Sequence, residues 1–221
     1  MIETVLFDID GTLLVTGGAG AVAWQRAFEE LHGVKADISE HTEAGMTDPE
    51  IAEIVFREVI GRDGTPAERG QAIAGYLNHL ADAVAESEGY RVMPGIEELL
   101  PSLIEKGVLL GLVTGNIEAA AHIKLARAHL NRFFGFGGYG SDSRDRTELT
   151  KKALERGELV SGGSLDAATA ISIGDTPRDV EAGHGAGIEV VGVATGSYTV
   201  DQLKSAGADW ALETVESGFP I

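Results

Sequence analysis

The 221-residue chain has no cysteine and a formal net charge of −18. The missing thiols exclude disulfides, thiolate metal sites and cysteine nucleophiles, and they favour a cytoplasmic location. The negative charge argues against nucleic acid or an anionic membrane as a partner. No apolar run resembles a signal peptide or a membrane span, so we expect no membrane association.

Short apolar runs alternate with helical stretches along the chain, which predicts an α/β fold with a Rossmann-like parallel sheet. The strong runs are rich in Val, Ile and Leu with little alternation, as is typical of strands covered on both faces. The predicted strands are residues 4–8, 108–114, 170–175 and 190–195, with weaker candidates at 134–139 and 210–213.

The segment between the first two strong strands shows helical spacing at residues 22–32, 49–60 and 66–86. A strand–helix–strand crossover needs only one helix, so this segment is too long for a simple connection. We therefore predict an inserted α-helical cap domain at residues 15–92. The catalytic core would be discontinuous, from residues 1–14 and 93–221. Trp24 and Phe28 are predicted to pack in the core of the cap.

Two acids follow the first strand in the segment Asp8-Ile9-Asp10-Gly11-Thr12. On a continuing strand their side chains would point to opposite faces, but Gly11 allows a sharp turn that can bring both to one site. Close carboxylates repel each other, and a hard cation such as Mg²⁺ relieves that repulsion. With the metal bound, one carboxylate could attack phosphorus while the other handles the leaving-group proton.

Two further strand ends carry polar residues. Thr114, Gly115 and Asn116 follow the second strong strand, where a hydroxyl and main-chain N–H groups at a helix start could bind phosphate oxygens. Asp175 ends the third strong strand and Asp179 follows at the start of a helix. Both are placed to hold a cation, directly or through water.

These three segments, in this order, resemble the haloacid dehalogenase superfamily, in particular its phosphatases of the phosphoglycolate phosphatase type. The resemblance implies that Asp8 is the nucleophile and Asp10 the general acid/base. It implies that Asp8, the main-chain carbonyl of Asp10, and Asp175 ligate Mg²⁺, with Asp179 supporting them. Thr114 would bind the transferring phosphoryl group.

The family's lysine, often in a Lys-Pro pair before the last motif, is missing from this chain. The position before the next helix aligns with Arg146, and we predict that this arginine acts there on nucleophile and phosphate. Lys151 or Lys152 could instead reach the site from the helix. Alternatively, the arginine pairs only with Asp142 or Asp145 on the surface.

The resemblance predicts a Mg²⁺-dependent phosphatase acting on a small phosphorylated metabolite, for which phosphoglycolate is one candidate. Asp10 argues against carbon–halogen cleavage, which needs no proton donor. One alternative is a phosphomutase of the β-phosphoglucomutase type, and another is a non-catalytic metal-dependent binding module. In the cap, residues 44–48 either face the active site or only begin a helix. The oligomeric state is left open.

Overall fold

The computed structural model describes residues 2–35 and 37–220. The described residues form eight strands: β1 Thr4–Phe7, β2 Leu14–Thr16, β3 Tyr90–Val92, β4 Leu109–Thr114, β5 Gly137–Tyr139, β6 Ala170–Gly174, β7 Glu189–Val193 and β8 Trp210–Leu212. The α-helices are α1 Ala19–His32, α2 Asp48–Val55, α3 Pro66–Glu86, α4 Ile96–Glu105, α5 Glu118–Ala126, α6 Arg146–Ser161, α7 Pro177–Gly185 and α8 Val200–Ser205.

Six strands form one parallel sheet in the order β5-β4-β1-β6-β7-β8. Both faces of β1 are buried, since Val5 and Phe7 join one hydrophobic cluster and Leu6 joins another. This double burial explains the continuous apolar runs in the sequence. The predicted Rossmann-like sheet is confirmed, including both weaker strands.

The predicted strand ends were too long by one or two residues. β1 stops at Phe7 and β6 stops at Gly174, so Asp8 and Asp175 are the first residues beyond their strands. The Asp8 N–H still donates to the carbonyl of Ile173 at 2.9 Å. The sheet therefore fixes the main chain of Asp8, although the residue itself lies on the turn.

The inserted helices α1, α2 and α3 share a hydrophobic cluster that is distinct from those beneath the sheet. The rings of Trp24 and Tyr76 stack with centroids 4.4 Å apart, and Phe28 packs edge-on against Phe56. Trp24 and Phe28 are fully buried in this cluster, which confirms their predicted packing role. α2 ends earlier than predicted because Phe56–Ile60 continues it as a π-helical turn.

A short antiparallel sheet joins the two ends of the insertion and was missed by the sequence analysis. β2 pairs with β3, with Leu14 opposite Val92 and Thr16 opposite Tyr90. Each strand has three residues, which is too short to show a period of two. The predicted cap boundaries at 15 and 92 fall within these strands, and the division into domains stays a prediction.

None of the described helices combines the length and apolar character needed to cross a lipid bilayer.

Candidate active site

Three adjacent strands deliver polar side chains to one edge of the sheet. β1 lies between β4 and β6, so the carboxyl ends of these strands bring Asp8, Thr114 and Asp175 to the same edge. The strand order diverges on either side of β1, and such a switch point is where open α/β sheets bind their ligands.

The structure brings together three of the predicted metal-binding acids. Carboxylate oxygens of Asp8, Asp175 and Asp179 all lie within 4.8 Å of one another, and all three residues are buried. Asp179 also completes a capping box with Thr176, which starts α7 and fixes the carboxylate at the sheet edge. Thr12 Oγ1 donates to Asp175 Oδ1 at 3.3 Å.

Two glycines leave the space that these carboxylates occupy. Gly11 has a φ of +86°, and a Cβ there would lie 2.4 Å from Asp175 Oδ2. A Cβ at Gly196 would lie 1.7 Å from the same oxygen. Thr195 Oγ1 donates to the Gly11 carbonyl at 2.5 Å, which ties the loop after β7 to the first turn. The sequence analysis missed Thr195 and Gly196, which carry no local motif.

The electrostatics of the acid cluster favour a bound cation. Burial, followed by the negative charge of Asp179, raises the pKa of Asp8 to about 7 and that of Asp175 to about 8. Burial disfavours the ionised carboxylates, and their mutual repulsion adds to this effect. A set of oxygen donors with excess negative charge suits a hard divalent cation such as Mg²⁺. The residues present therefore fit the metal that the resemblance implies.

Arg146 is the cation that contacts the cluster directly. Its buried guanidinium pairs with Asp179 and lies 3.5 Å from Asp8 Oδ1, and it also donates to the Gly45 carbonyl at 3.2 Å. Its Nε has no hydrogen-bond partner among the described residues. A buried donor without a partner, on a guanidinium that contacts the predicted nucleophile, is suited to an anion such as phosphate.

The alternatives to Arg146 are not supported by the geometry. Lys151 and Lys152 lie on the exposed face of α6 and pair with Glu148 and Glu155. Nor does Arg146 pair with its neighbouring aspartates on the surface. Asp142 pairs with Arg156, and Asp145 caps α6 by accepting from the Thr147 N–H.

The Asp10 carboxylate is hydrogen-bonded to residues outside the acid cluster. Its Oδ2 accepts hydrogen bonds from Asn116 Nδ2 at 2.7 Å and from Lys124 Nζ at 2.6 Å. Asn116 Nδ2 also donates to Thr114 Oγ1 at 2.8 Å. The structure therefore links Asp10 to the end of β4 through a network that includes a lysine the sequence analysis did not select.

The predicted phosphate role of Asn116 stays a prediction. Its N–H donates to Thr114 Oγ1 at 3.3 Å, so it is already hydrogen-bonded within its own turn. The carbonyl of Gly115 accepts from the Asp48 N–H at 2.9 Å. Thr114, Gly115, Asn116 and Arg146 all stay candidates for binding phosphate.

The segment 44–48 contains the start of a helix and also lies at the candidate active site. Thr47 forms a capping box with Glu50 and so starts α2. Asp48 Oδ2 accepts from the Ile117 N–H at 2.8 Å, which satisfies a donor at the start of α5. Burial raises the pKa of Asp48 to about 6. The two interpretations of this segment are therefore compatible.

Ion pairs strengthen the contact between the inserted helices and the sheet. Arg144 makes two hydrogen bonds to Glu53 on α2, and Arg178 on α7 lies 3.2 Å from Glu43. Together with Asp48 and the Arg146–Gly45 hydrogen bond, they dock the segment before α2 beside the acid cluster. The structure thus shows residues of the insertion in direct contact with residues at the edge of the sheet.

Comparisons with known proteins place the chain in a family. Residues 5–193 match the family model described as haloacid dehalogenase-like hydrolase. A protein of Dickeya dadantii named probable phosphatase IndB is 28% identical, covering 95% of this chain and 89% of the relative. A phosphoglycolate phosphatase of Synechococcus elongatus is 24% identical, covering 96% of this chain and 93% of the relative.

The fold has close counterparts among solved structures. A β-phosphoglucomutase from Clostridium difficile superposes with a TM-score of 0.77 at 19% identity, covering 99% of this chain and 94% of that one. At that identity the likeness concerns the fold alone. The family match spans the acid cluster, Arg146 and the inserted helices, and this chain belongs to the haloacid dehalogenase-like hydrolases.

Proposed function

We propose that this hydrolase is a Mg²⁺-dependent phosphatase that cleaves a small phosphomonoester through an aspartyl-phosphate on Asp8. The observation that carries the proposal is the buried cluster of Asp8, Asp175 and Asp179 with Arg146 against it. Asp10 stands apart from this cluster and is the second acid that a two-step mechanism requires.

Mg²⁺ would be held by Asp8 and Asp175, with Asp179 supporting the site and the main-chain carbonyl of Asp10 as a further ligand. When bound, the metal supplies positive charge that offsets the negative charge of the phosphoryl oxygens. The chain's own contribution is to hold the carboxylates in place through Thr12 and the capping box at Thr176.

In the first step an Asp8 carboxylate oxygen attacks phosphorus. The bond from Asp8 to phosphorus forms, the bond from phosphorus to the ester oxygen breaks, and Asp10 gives its proton to the departing oxygen. In the second step water attacks phosphorus, the bond to Asp8 breaks, and the proton of the water passes to Asp10. Asp10 thereby returns to its starting protonation state.

Arg146 would take the place of the family's lysine. Its guanidinium already contacts Asp8 and Asp179, and its unpartnered Nε lies within the same buried site. A planar guanidinium can bridge a carboxylate and a phosphate oxygen. Thr114 Oγ1 and the Gly115 N–H are proposed to bind further phosphoryl oxygens.

We propose a small phosphorylated metabolite of the phosphoglycolate type as the substrate. The insertion contacts the sheet side through Asp48 and Arg144, and its residues beside the acid cluster are the proposed source of substrate choice. The Synechococcus relative is named for phosphoglycolate, which supports testing that ester first. We place the enzyme in the cytoplasm, as the absence of cysteine favours.

A screen of small phosphomonoesters with Mg²⁺ tests this function by measuring released phosphate. We expect release from at least one ester, loss of release with a chelator, and no release by Asp8→Asn. Asp82→Asn is a matched control, because Asp82 is exposed on α3. Undiminished release by Asp8→Asn would contradict the mechanism. An isomeric sugar phosphate without free phosphate would show a mutase instead.

A further inference from the structure

Lys124 is a buried lysine on α5 that lies directly against Asp10. Its Nζ donates to Asp10 Oδ2 at 2.6 Å, although the two residues are 114 positions apart in sequence. We propose that Lys124 is a positioning residue that holds the Asp10 carboxylate in the orientation for proton transfer. This inference rests on the proposed function, in which Asp10 is the proton donor and acceptor.

The hydrogen bonds to Asp10 are unequally divided between its two oxygens. Oδ2 accepts from both Lys124 Nζ and Asn116 Nδ2. Within residues 2–35 and 37–220, no group donates to Oδ1. Two donors on one oxygen restrict rotation of the carboxylate, and they leave the other oxygen for the ester oxygen or for water.

The relative exposure of the two side chains supports a positioning role. The Lys124 side chain is 8% exposed, whereas that of Asp10 is 43% exposed. The lysine therefore lies beneath the carboxylate, which faces the open side of the site. An ion pair between two exposed side chains would restrain Asp10 much less, because solvent would screen the attraction and both side chains would stay mobile.

The burial of Lys124 needs the negative charges around it. A buried ammonium is costly unless it is paired. Asp10 provides the direct partner. Burial raises the pKa of Asp48, and the positive charge of Lys124 opposes part of that rise. The buried ammonium of Lys124 is thus compensated mainly by its direct pair with Asp10.

The dependence of rate on the leaving group separates positioning of Asp10 from a general structural role. A p-nitrophenolate leaves without a proton, whereas an alkoxide needs one, so poor placement of the acid should affect alkyl esters most. When release of the first product, the alcohol, is irreversible, kcat/KM reports only the steps up to that release. These steps include the attack of Asp8 on phosphorus. The probes are therefore p-nitrophenyl phosphate, phenyl phosphate and ethyl phosphate, with 2-phosphoglycolate added as a carboxylate-bearing ester.

For Lys124→Met we expect kcat/KM to fall about 10- to 100-fold with ethyl phosphate and by less than about threefold with p-nitrophenyl phosphate. Lys124→Arg should restore most of the loss, since it keeps the charge and a donor. In Asp10→Asn, adding Lys124→Met should have no further effect, because the two residues act as a unit. Lys152→Met, an exposed lysine on α6, is the control and should match the wild type.

Thermal unfolding of each variant checks the fold, and Lys124→Gln replaces Lys124→Met if the latter does not fold. An equal loss with every ester would show a structural role and overturn the proposal. A loss confined to 2-phosphoglycolate would assign Lys124 to substrate binding and also overturn it. If Asp10→Asn shows the leaving-group dependence and Lys124→Met does not, only this inference fails. If Asp10→Asn shows none, the proposed function itself fails.

Discussion

Arg146 shares one guanidinium between two carboxylates of the acid cluster, Asp8 and Asp179. All three side chains are buried, so loss of the cation would leave uncompensated negative charge away from water. The same group is the proposed partner of the phosphoryl oxygens. Stability and activity should therefore respond together when it is changed.

We predict that Arg146→Ala lowers the free energy of unfolding by about 3–5 kcal/mol in metal-free buffer at about pH 8, and that it abolishes measurable phosphate release. Arg146→Lys should retain part of the stability and part of the activity, since lysine keeps the positive charge but lacks the paired N–H donors of the guanidinium. Denaturant titration and kcat/KM provide the measurements. Arg144→Ala is the control, because this exposed arginine should contribute less than about 1 kcal/mol. Equal stability of the two alanine variants would contradict the role of Arg146.

Gly196 leaves room for Asp175, and an added methyl group should displace that carboxylate. We predict that Gly196→Ala weakens Mg²⁺ binding by about 10- to 100-fold, as is typical when the supports of metal ligands are disturbed. Isothermal titration with Mg²⁺ measures the change. Gly163→Ala is a matched control, since a Cβ there meets no atom within 4 Å. The same Mg²⁺ affinity in both variants would show that Asp175 is not a ligand.

At the residue scale the sequence could predict the acids but not their surroundings. Asp8 and Asp175 directly follow apolar strands, and that position alone indicates a site at the sheet edge. Lys124 and Gly196 carry no such signal. A lysine on a helix is usually solvent-exposed, and only the packing of α5 against the sheet edge brings this one to Asp10.

Among the helices, one hydrogen bond between the starts of α2 and α5 helps to dock the insertion. Asp48, the first residue of α2, accepts the Ile117 N–H at the start of α5. That donor would otherwise be buried without a partner, at a cost of about 1–3 kcal/mol. The side chain of one helix start thus caps another helix across the interface.

We predict that Asp48→Ala loosens the docked insertion and raises KM for the best phosphomonoester, while Asp48→Asn stays close to the wild type because its amide oxygen can still accept. Hydrogen exchange of the Ile117 amide reports the docking directly. Asp82→Ala, on the exposed face of α3, serves as the control. Unchanged exchange at Ile117 in Asp48→Ala would contradict the docking role.

The starts of α2 and α3 were well predicted, whereas α1 begins at Ala19, three residues before the predicted start, and two short strands were missed. Thr47 and Thr65 each precede a proline and a capping glutamate, and α2 and α3 begin within one residue of the predicted positions. β2 and β3 exist only because the two ends of the insertion meet. No local pattern of three residues can reveal that pairing.

Over the whole molecule, the buried acids couple stability to pH and to metal. The pKa values of Asp48, Asp8 and Asp175 are raised to about 6, 7 and 8, so the folded chain binds these protons more tightly than the unfolded chain does. The stability from this source is present below the unfolded pKa of about 4 and is lost as pH rises through about 6 to 8.

We therefore predict that the metal-free protein loses stability between about pH 4 and pH 8, and that the increase in Tm on adding Mg²⁺ is larger at about pH 8 than at about pH 6. Mg²⁺ binds the ionised carboxylates, so its affinity should grow as they lose protons. Thermal scans with Mg²⁺, and control scans with NaCl at matched ionic strength, measure this increase in Tm. An increment that does not change with pH would contradict binding at these acids.

The fold class and the parallel sheet could be predicted because they depend on apolar runs that recur along the chain. The shape of the site could not, since it arises where Gly45 and Asp48 of the insertion meet Arg146 and Ile117 of the sheet side. These contacts join residues that are distant in sequence. Substrate choice depends on the same contacts, which no local motif encodes.

The central claim is that Asp8 carries the phosphoryl group, and peptide mapping by mass spectrometry tests it most directly. The enzyme would react with Mg²⁺ and p-nitrophenyl phosphate, with Asp10→Asn included to slow the second step, and borohydride would reduce the trapped acyl phosphate. We predict modification at Asp8 in the wild type, more of it in Asp10→Asn, and none in Asp8→Asn. Steady phosphate release with no modification of Asp8, or with modification of another residue, would contradict the account.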